Sequence, residues 1–182
     1  MSKPSQPRLV DGSTPAGAPD LFARLESLEI PFTNLGHPPV YTVEEARTLR
    51  GTLPGSHSKN LFLRDKKENH WLVSCLSNRT VDLGWLAHEL GTKRLTFCSK
   101  RRLMAYLGIR PGSVSPFAVL NDVTGIVKVA LDQEMLEREP LNFHPLDNAQ
   151  TTSIAKEGLL RFLDAVAHSP RMLRFPNEEI PW

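Results

Sequence analysis

The chain has 182 residues, with 22 Lys and Arg against 20 Asp and Glu, 40% hydrophobic residues and 23% charged. That length allows one domain of roughly 150 residues plus a tail, enough to bury a core without disulfide or metal staples. It excludes a multidomain machine, and the near-average composition excludes a wholly disordered, collagenous or coiled-coil chain. The net charge of +2 conceals an asymmetry: Lys59 to Arg110 holds eleven Lys/Arg and four acids, a local +7, and the remainder is −5. Such a segment suits a polyanionic partner if its charges share one surface, and reads as an ordinary solvated surface if they do not. Cys75 and Cys98 sit in apolar runs, as buried free thiols of a reducing cytoplasm do. The first twenty residues carry four of the fifteen prolines and no apolar signal core, so residues 1–19 read as a flexible arm. No stretch approaches the ~18 apolar residues of a spanning helix; a cytoplasmic protein with no membrane partner is expected.

In chain order, Leu21, Phe22, Leu25 and Leu28 share a helical face behind Asp20 as N-cap, and Pro31 ends that helix. Residues 32–36 run extended towards His37-Pro38-Pro39-Val40-Tyr41. Thr42 and Glu45 form a capping box for a helix to about Arg50, closed by Gly51. Residues 52–58 read as a loop. Leu61-Phe62-Leu63, a polar turn over 65–69 and Trp71 to Leu76 read as a hairpin. Asp82 caps a helix ended by Gly91, Arg94 to Cys98 is a short strand, and Ser99 caps a helix stopped by Gly108. After the loop 109–116, Pro116 opens a short helical turn. Strands follow at Ile126 to Leu131, Leu141 to Phe143 and Thr151 to Ile154, then an amphipathic helix bearing Leu159, Leu160, Phe162, Leu163 and Val166. About seven strands and five helices without strict alternation predict an α/β (α+β) domain over 20–170, with a mixed, largely antiparallel curved sheet and helices packed outside. Residues 171–182 read as a C-terminal tail.

Common metal, dinucleotide and P-loop motifs are absent, and the six histidines lack short-range ligand spacing, so neither metal nor cofactor is expected. A Cys/His nucleophile pair stays open, although neither cysteine lies in a loop. Chemistry would then rest on positioned donors, a cation and water. Three features fit. Lys59-Asn60 stands at a strand end, where an ordinary surface lysine is the alternative. Gly112-Ser113-Val114-Ser115-Pro116 offers successive backbone N–H groups, or is a plain connection. His144, in Asn142-Phe143-His144-Pro145, leaves a strand end, where a structural histidine is equally at home.

Together these pieces resemble the YbaK-like superfamily of trans-editing proteins, which includes the editing insertion of bacterial prolyl-tRNA synthetase. The matching elements are His37 to Thr42 with Glu45-Ala46, Lys59-Asn60-Leu61-Phe62-Leu63, the Gly112 to Pro116 loop, and Phe143-His144-Pro145-Leu146 leading to Asn148 and Thr151-Thr152. The chain is most similar to the free-standing alanyl-tRNA(Pro) deacylase branch, sometimes called ProX or PrdX. It departs at Ala155-Lys156-Glu157-Gly158, where a Ser or Asp cap is expected; the loss weakens that helix start by ~1 kcal/mol. The resemblance implies hydrolysis of Ala-tRNA(Pro), with Lys59, Asn60 and His144 catalytic. It places the substrate against Gly112, Ser113, Val114, Ser115, Pro116, His37 and Tyr41. It gives Lys66, Lys67, Lys93, Arg94, Lys100, Arg101 and Arg102 the tRNA(Pro) acceptor stem and its aminoacylated CCA end. Prolyl-tRNA synthetase or an elongation factor would be further partners, and DNA would not. Hydrolysis of Cys-, Ser- or Thr-tRNA by the same fold, or a non-catalytic RNA- or protein-binding module, are the competing readings.

Overall fold

A computed structural model describes residues 7–39 and 43–176. Its elements are helix α1 (Ala18–Ser27), strand β1 (Phe32–Gly36), α2 (Val43–Thr52), β2 (Ser56–Asp65), β3 (His70–Leu76), α3 (Leu83–Glu89) and β4 (Leu95–Phe97). A short α4 (Lys100–Arg102) runs on into a π-helical turn (Leu103–Leu107), and a 3₁₀ helix (Pro116–Asn121) follows. Then come β5 (Val127–Asp132), α5 (Gln133–Leu136), β6 (Leu141–Phe143), β7 (Gln150–Ile154), α6 (Lys156–Ala165) and β8 (Arg171–Leu173). The eight strands form one mixed sheet in the order β1-β7-β6-β2-β3-β5-β8, with β4 also on β2. The expected α/β architecture is therefore present, and α5 and β8 add to it. Four pairings are antiparallel (β1·β7, β2·β3, β2·β4, β6·β7) and three parallel (β2·β6, β3·β5, β5·β8).

Alternation along β2 and β3 feeds two cores, one on each face of the sheet. Phe62 and Leu72 face a larger core built from α1, α6 and the 3₁₀ helix, with Leu21, Leu25, Phe117 and Phe162 at its centre. Phe117 meets Phe143 and Phe162 edge-on, with centroids 5.8 and 5.5 Å away, the orientation the ring quadrupole favours. Leu63, Trp71, Val73 and Cys75 face a smaller core with Leu86 and Leu90 from α3 and Leu173 from β8. Every residue of β3 is consequently buried, which explains why all its positions but His70 and Ser74 are apolar.

Several boundaries move from their expected places. Gly17, not Asp20, caps α1; Asp20 stands three residues in, and its carboxylate accepts from the Gly17 N–H at 2.8 Å. Helix α2 runs through Gly51 to Thr52. Thr42, the proposed half of its capping box, and Tyr41 lie outside the described residues. Strand β2 begins at Ser56, inside the expected loop, because Ser56 and His57 pair in parallel with Leu141 and Asn142. Gly55 makes that approach possible: its φ is +92°, and a Cβ there would collide with the Pro140 carbonyl oxygen.

Two expectations at the chain ends also change. Within the expected arm, Leu9 is buried, the Val10 N–H donates to the Ala105 carbonyl at 2.7 Å, and Ala16 N–H donates to Asn121 at 2.8 Å. Within the expected tail, Met172 pairs with Leu131 in β8. The missing cap of α6 is supplied from elsewhere, since Glu139 accepts the Lys156 N–H.

Candidate functional site

The central feature is an interruption on one edge of β2. Its first residues pair with β6 and its last, Leu63 to Asp65, with β4; among the described residues, 58–62 have no strand on that edge. Lys59 and Asn60 lie in the interruption. Two residues beyond the last parallel pair, His57 with Asn142, stand Lys59 on one strand and His144 on the other. Lys59 continues in β2, whereas His144 is the first residue past β6.

Lys59 is partly buried and its ammonium donates to the backbone carbonyl of Arg79. Across the ladder it faces Cys75, whose thiol burial pushes up to about 11. Burial does the same for Cys98, also to about 11. Both are therefore protonated at neutral pH, and the open Cys/His nucleophile pair has no thiolate to use. Asn60 points to the opposite face. Its amide donates to Ser58 at 3.2 Å, while its Oδ1 is buried without a hydrogen-bond partner among the described residues. The Ser74 hydroxyl, its ladder neighbour, and the Ser115 hydroxyl are buried and unpartnered in the same sense. Orphaned buried oxygens are costly unless a water or ligand meets them.

His144 and His37 come together over β7, ring centroids 6.1 Å apart. Nδ1 of His144 lies 2.8 Å from the Gln150 carbonyl, which can only accept, so Nδ1 carries the proton and Nε2 is the acceptor nitrogen of the neutral ring. His37 is tied similarly, Nδ1 to the Pro38 carbonyl at 2.8 Å and Nε2 to the Thr151 hydroxyl at 2.9 Å. Asp147 closes the loop: bonds from the Ala149 N–H and the Gln150 amide, helped by the charges of His144 and His37, hold its carboxyl below the usual range. A cleft of about 640 Å³ adjoins this loop, lined by Leu146, Asp147, Asn148, Ile109, Arg110 and Ser113 with Pro7 and Pro15 of the N-terminal segment. A second, largely apolar one of about 550 Å³ lies between His37-Pro38-Pro39 and α2.

Gly112 sits beside Asn148 at φ +91°. The Ser113 N–H closes a turn on Arg110 at 3.2 Å, so it is committed internally. The Gly112, Val114 and Ser115 N–H groups donate to no described residue. Val114 leans on the larger core, and Pro116 opens the 3₁₀ helix. The loop thus offers three amides rather than a continuous run.

The cationic residues collect at the other end of β2. Asp65 organises them by accepting from Lys67 N at 2.8 Å, Asn69 N at 2.9 Å and the Thr92 hydroxyl at 3.0 Å. That ties the turn bearing exposed Lys66 and Lys67 to the loop bearing exposed Lys93 and Arg94. Lys100 and Arg101 are exposed on α4, which Ser99 caps. Arg102 differs: it pairs with Glu68 at 2.6 Å and donates to His70 at 3.0 Å. Burial and the nearby Arg102 charge push His70's pKa down, so the ring is suited to accept. Lys59 lies six residues from Asp65, roughly 20 Å along an extended strand.

Among the described residues no group of three or more His, Cys, Asp and Glu could hold a metal ion, and no helix is long and apolar enough to cross a membrane. Sequence reasoning gave no role to Thr151, Asp147 or the Arg79 carbonyl. The first two stood in view beside His144, but a backbone acceptor leaves no trace in a sequence.

Fold and site together define a mixed α/β domain with an interrupted sheet edge, clefts beside the Asp147 loop and His37, and a cationic patch one strand-length from Lys59. A profile of the aminoacyl-tRNA editing domain matches residues 37–162, and the chain belongs to that family. It is an aminoacyl-tRNA deacylase, a hydrolase of the ester joining an amino acid to tRNA. The Prolyl-tRNA editing protein ProX of Acetoanaerobium sticklandii is 38% identical over 146 residues, covering 80% of this chain and 89% of that one. Prolyl-tRNA synthetase associated domain-containing protein 1 of Mus musculus is 38% identical over 161 residues, covering 86% and 95%. The same fold occurs in the crystal structure of a candidate trans-editing enzyme for prolyl tRNA synthetase, with TM-score 0.67 and 18% identity over 90% of this chain and 100% of that one.

Proposed function

We propose that this protein acts in trans to remove alanine from mischarged tRNA(Pro). The observation that carries the reading is that Lys59 and His144 each follow by two residues the last parallel pair of adjacent strands, while Asn60, on the other face of β2, has a buried oxygen with no partner among the described residues. A cation and a histidine on neighbouring strands, with an orphaned acceptor on the residue after the cation, suit an ester and its attacking water. The name of the Acetoanaerobium relative supports the prolyl assignment.

In this mechanism the Lys59 ammonium holds the aminoacyl ester and its terminal adenosine end, and Asn60 assists. The amides of Gly112, Val114 and Ser115 bind the aminoacyl group as negative charge develops on its carbonyl oxygen. His144 borders the alanine pocket and orients water or the amino group, with His37 beside it. Water adds to the carbonyl carbon, the bond to the ribose oxygen breaks, and that oxygen takes up a proton, with the neighbouring ribose hydroxyl able to relay it. A small pocket then supplies the second sieve that the charging step lacks, because a missing methylene or two is worth only about 1–3 kcal/mol at a pocket built for proline. Lys66, Lys67, Lys93, Arg94, Lys100 and Arg101 take acceptor-stem phosphates.

The test is deacylation of tRNA(Pro) charged in turn with Ala, Cys, Ser and Pro. Alanine should leave fastest and proline should stay. Preference for Cys or Ser would overturn the alanine assignment, and hydrolysis of none would overturn the reading as a whole.

A further inference from the structure

Beside the site lies a buried charge pair with no part in the hydrolysis. Asp132 ends β5 at 0% exposure, one residue past the Ser74–Leu131 pair, and so stands next to Cys75. Its carboxylate accepts from the Leu76 N–H at 3.2 Å, the Glu134 N–H at 3.0 Å, and Arg79 Nε at 2.6 Å, with Arg79 Nη2 at 3.4 Å. The same guanidinium pairs with Glu134 and lies 4.9 Å from the centre of the Phe175 ring. Carboxylate, backbone and ring contacts therefore fix the turn after β3, with Arg79 N–H closing on Leu76 at 3.1 Å. The Arg79 carbonyl is the acceptor that Lys59 uses.

We propose that Asp132 and Arg79 are positioning residues for Lys59, holding the Arg79 carbonyl where it directs the ammonium at the substrate ester. The inference rests on the role assigned above to Lys59. Arginine suits the task because its planar fork meets a carboxylate in a fixed orientation, which a lysine's point charge does not. A lysine side chain alone has a flexible four-carbon stem, and a single fixed acceptor selects among its rotamers. Buried ion pairs are weak contributors to stability and are often replaced by neutral groups at little cost, so the consequence of this one is orientation of the turn. Misplacement of a catalytic group by an ångström is enough to slow a reaction strongly.

The experiment is a double-mutant cycle in single-turnover deacylation. Arg79→Met with Asp132→Asn removes both charges together, which avoids stranding either one in the interior. That protein should keep its melting temperature and its KM for charged tRNA, and lose on the order of tenfold in kcat. Combined with Lys59→Ala it should lose nothing more, because its effect passes through Lys59. Arg79→Lys should recover only part of the rate. An equal loss in the presence and absence of Lys59 would overturn the proposal, as would an unchanged kcat. Full activity in Lys59→Ala alone would remove the Lys59 role first, a result separable from failure of the cycle.

Discussion

The two halves of β2 share a strand and differ in almost everything else. Its C-terminal half, Leu63 to Asp65, is paired on both edges, by β3 and by β4. Its N-terminal part pairs with β3 from Ser58 onward, but among the described residues its other edge has no strand between His57 and Leu63. The paired half ends in an aspartate that spends its acceptors on tying loops together, and it presents cations on the outside. The open half keeps its cation half-buried and an amide oxygen without a partner among the described residues. Rigid pairing is what a docking surface for a long polyanion needs, and incomplete pairing is what leaves room for an ester and a water. On the proposed reading, one strand carries chemistry at one end and grip at the other.

Substitutions should separate the two. The largest effect belongs to the open half: Lys59→Ala should lower kcat/KM about 10²- to 10³-fold, the cost of removing a donor to a developing oxyanion, mostly in kcat. Equal loss in kcat/KM through KM alone would move Lys59 into the grip. A smaller effect belongs to the paired half. Neutralising Lys66, Lys67, Lys93 and Arg94 together should raise KM roughly tenfold, leave kcat alone, and flatten the salt dependence by about one unit of slope for each phosphate left without its cation. Unchanged KM would break the comparison. Lys100 and Arg101 belong with this group. Arg102, engaged with Glu68 and His70, should cost stability instead.

The smallest effect is a pH dependence at Asp65. Burial raises its pKa, but bonds from Asn69, Thr92 and Lys67 outweigh that and leave it below the ordinary 3.8. A depressed folded-state value means stability present above the unfolded value and lost as pH falls through the folded one. Urea midpoints measured from pH 7 to pH 3 should therefore fall less steeply in Asp65→Asn than in the wild type. A steeper fall would show that Asp65 does not hold the patch together.

Much of this was readable from local chemistry. Asp82 caps α3 and accepts from Trp85 at 2.8 Å, the hairpin turn sits at 65–69, and Gly108 follows the helix that Ser99 starts, because caps and turns depend on neighbours in sequence. The remainder depends on partners far away. Ser56 and His57 look like loop until Leu141 and Asn142 arrive beside them. Arg171 to Leu173 is too short and too exposed at its first two positions to announce a strand, and it becomes one only by adding to β5. Ala155 looks like a missing cap until Glu139 fills the place. The site divides the same way. Lys59, Asn60 and His144 are visible as residues, but the two-residue parallel pairing that makes their strands neighbours shows in no periodicity. Tyr41 falls outside the described residues, and the domain limits at 20 and 170 cut across contacts made on either side.

Those contacts bear on how the protein is handled. Pro7, Thr14 and Pro15 form one wall of the cleft beside Ser113 and Asp147, and Asn121 clasps Ala16 while also bonding the Leu107 carbonyl at 2.9 Å. A recombinant fragment trimmed to residue 20 would keep every charged side chain named above. It would nevertheless leave the Ala105 carbonyl and Asn121 without their N-terminal partners, strip the cleft of a side, and so report the kinetics of a different pocket.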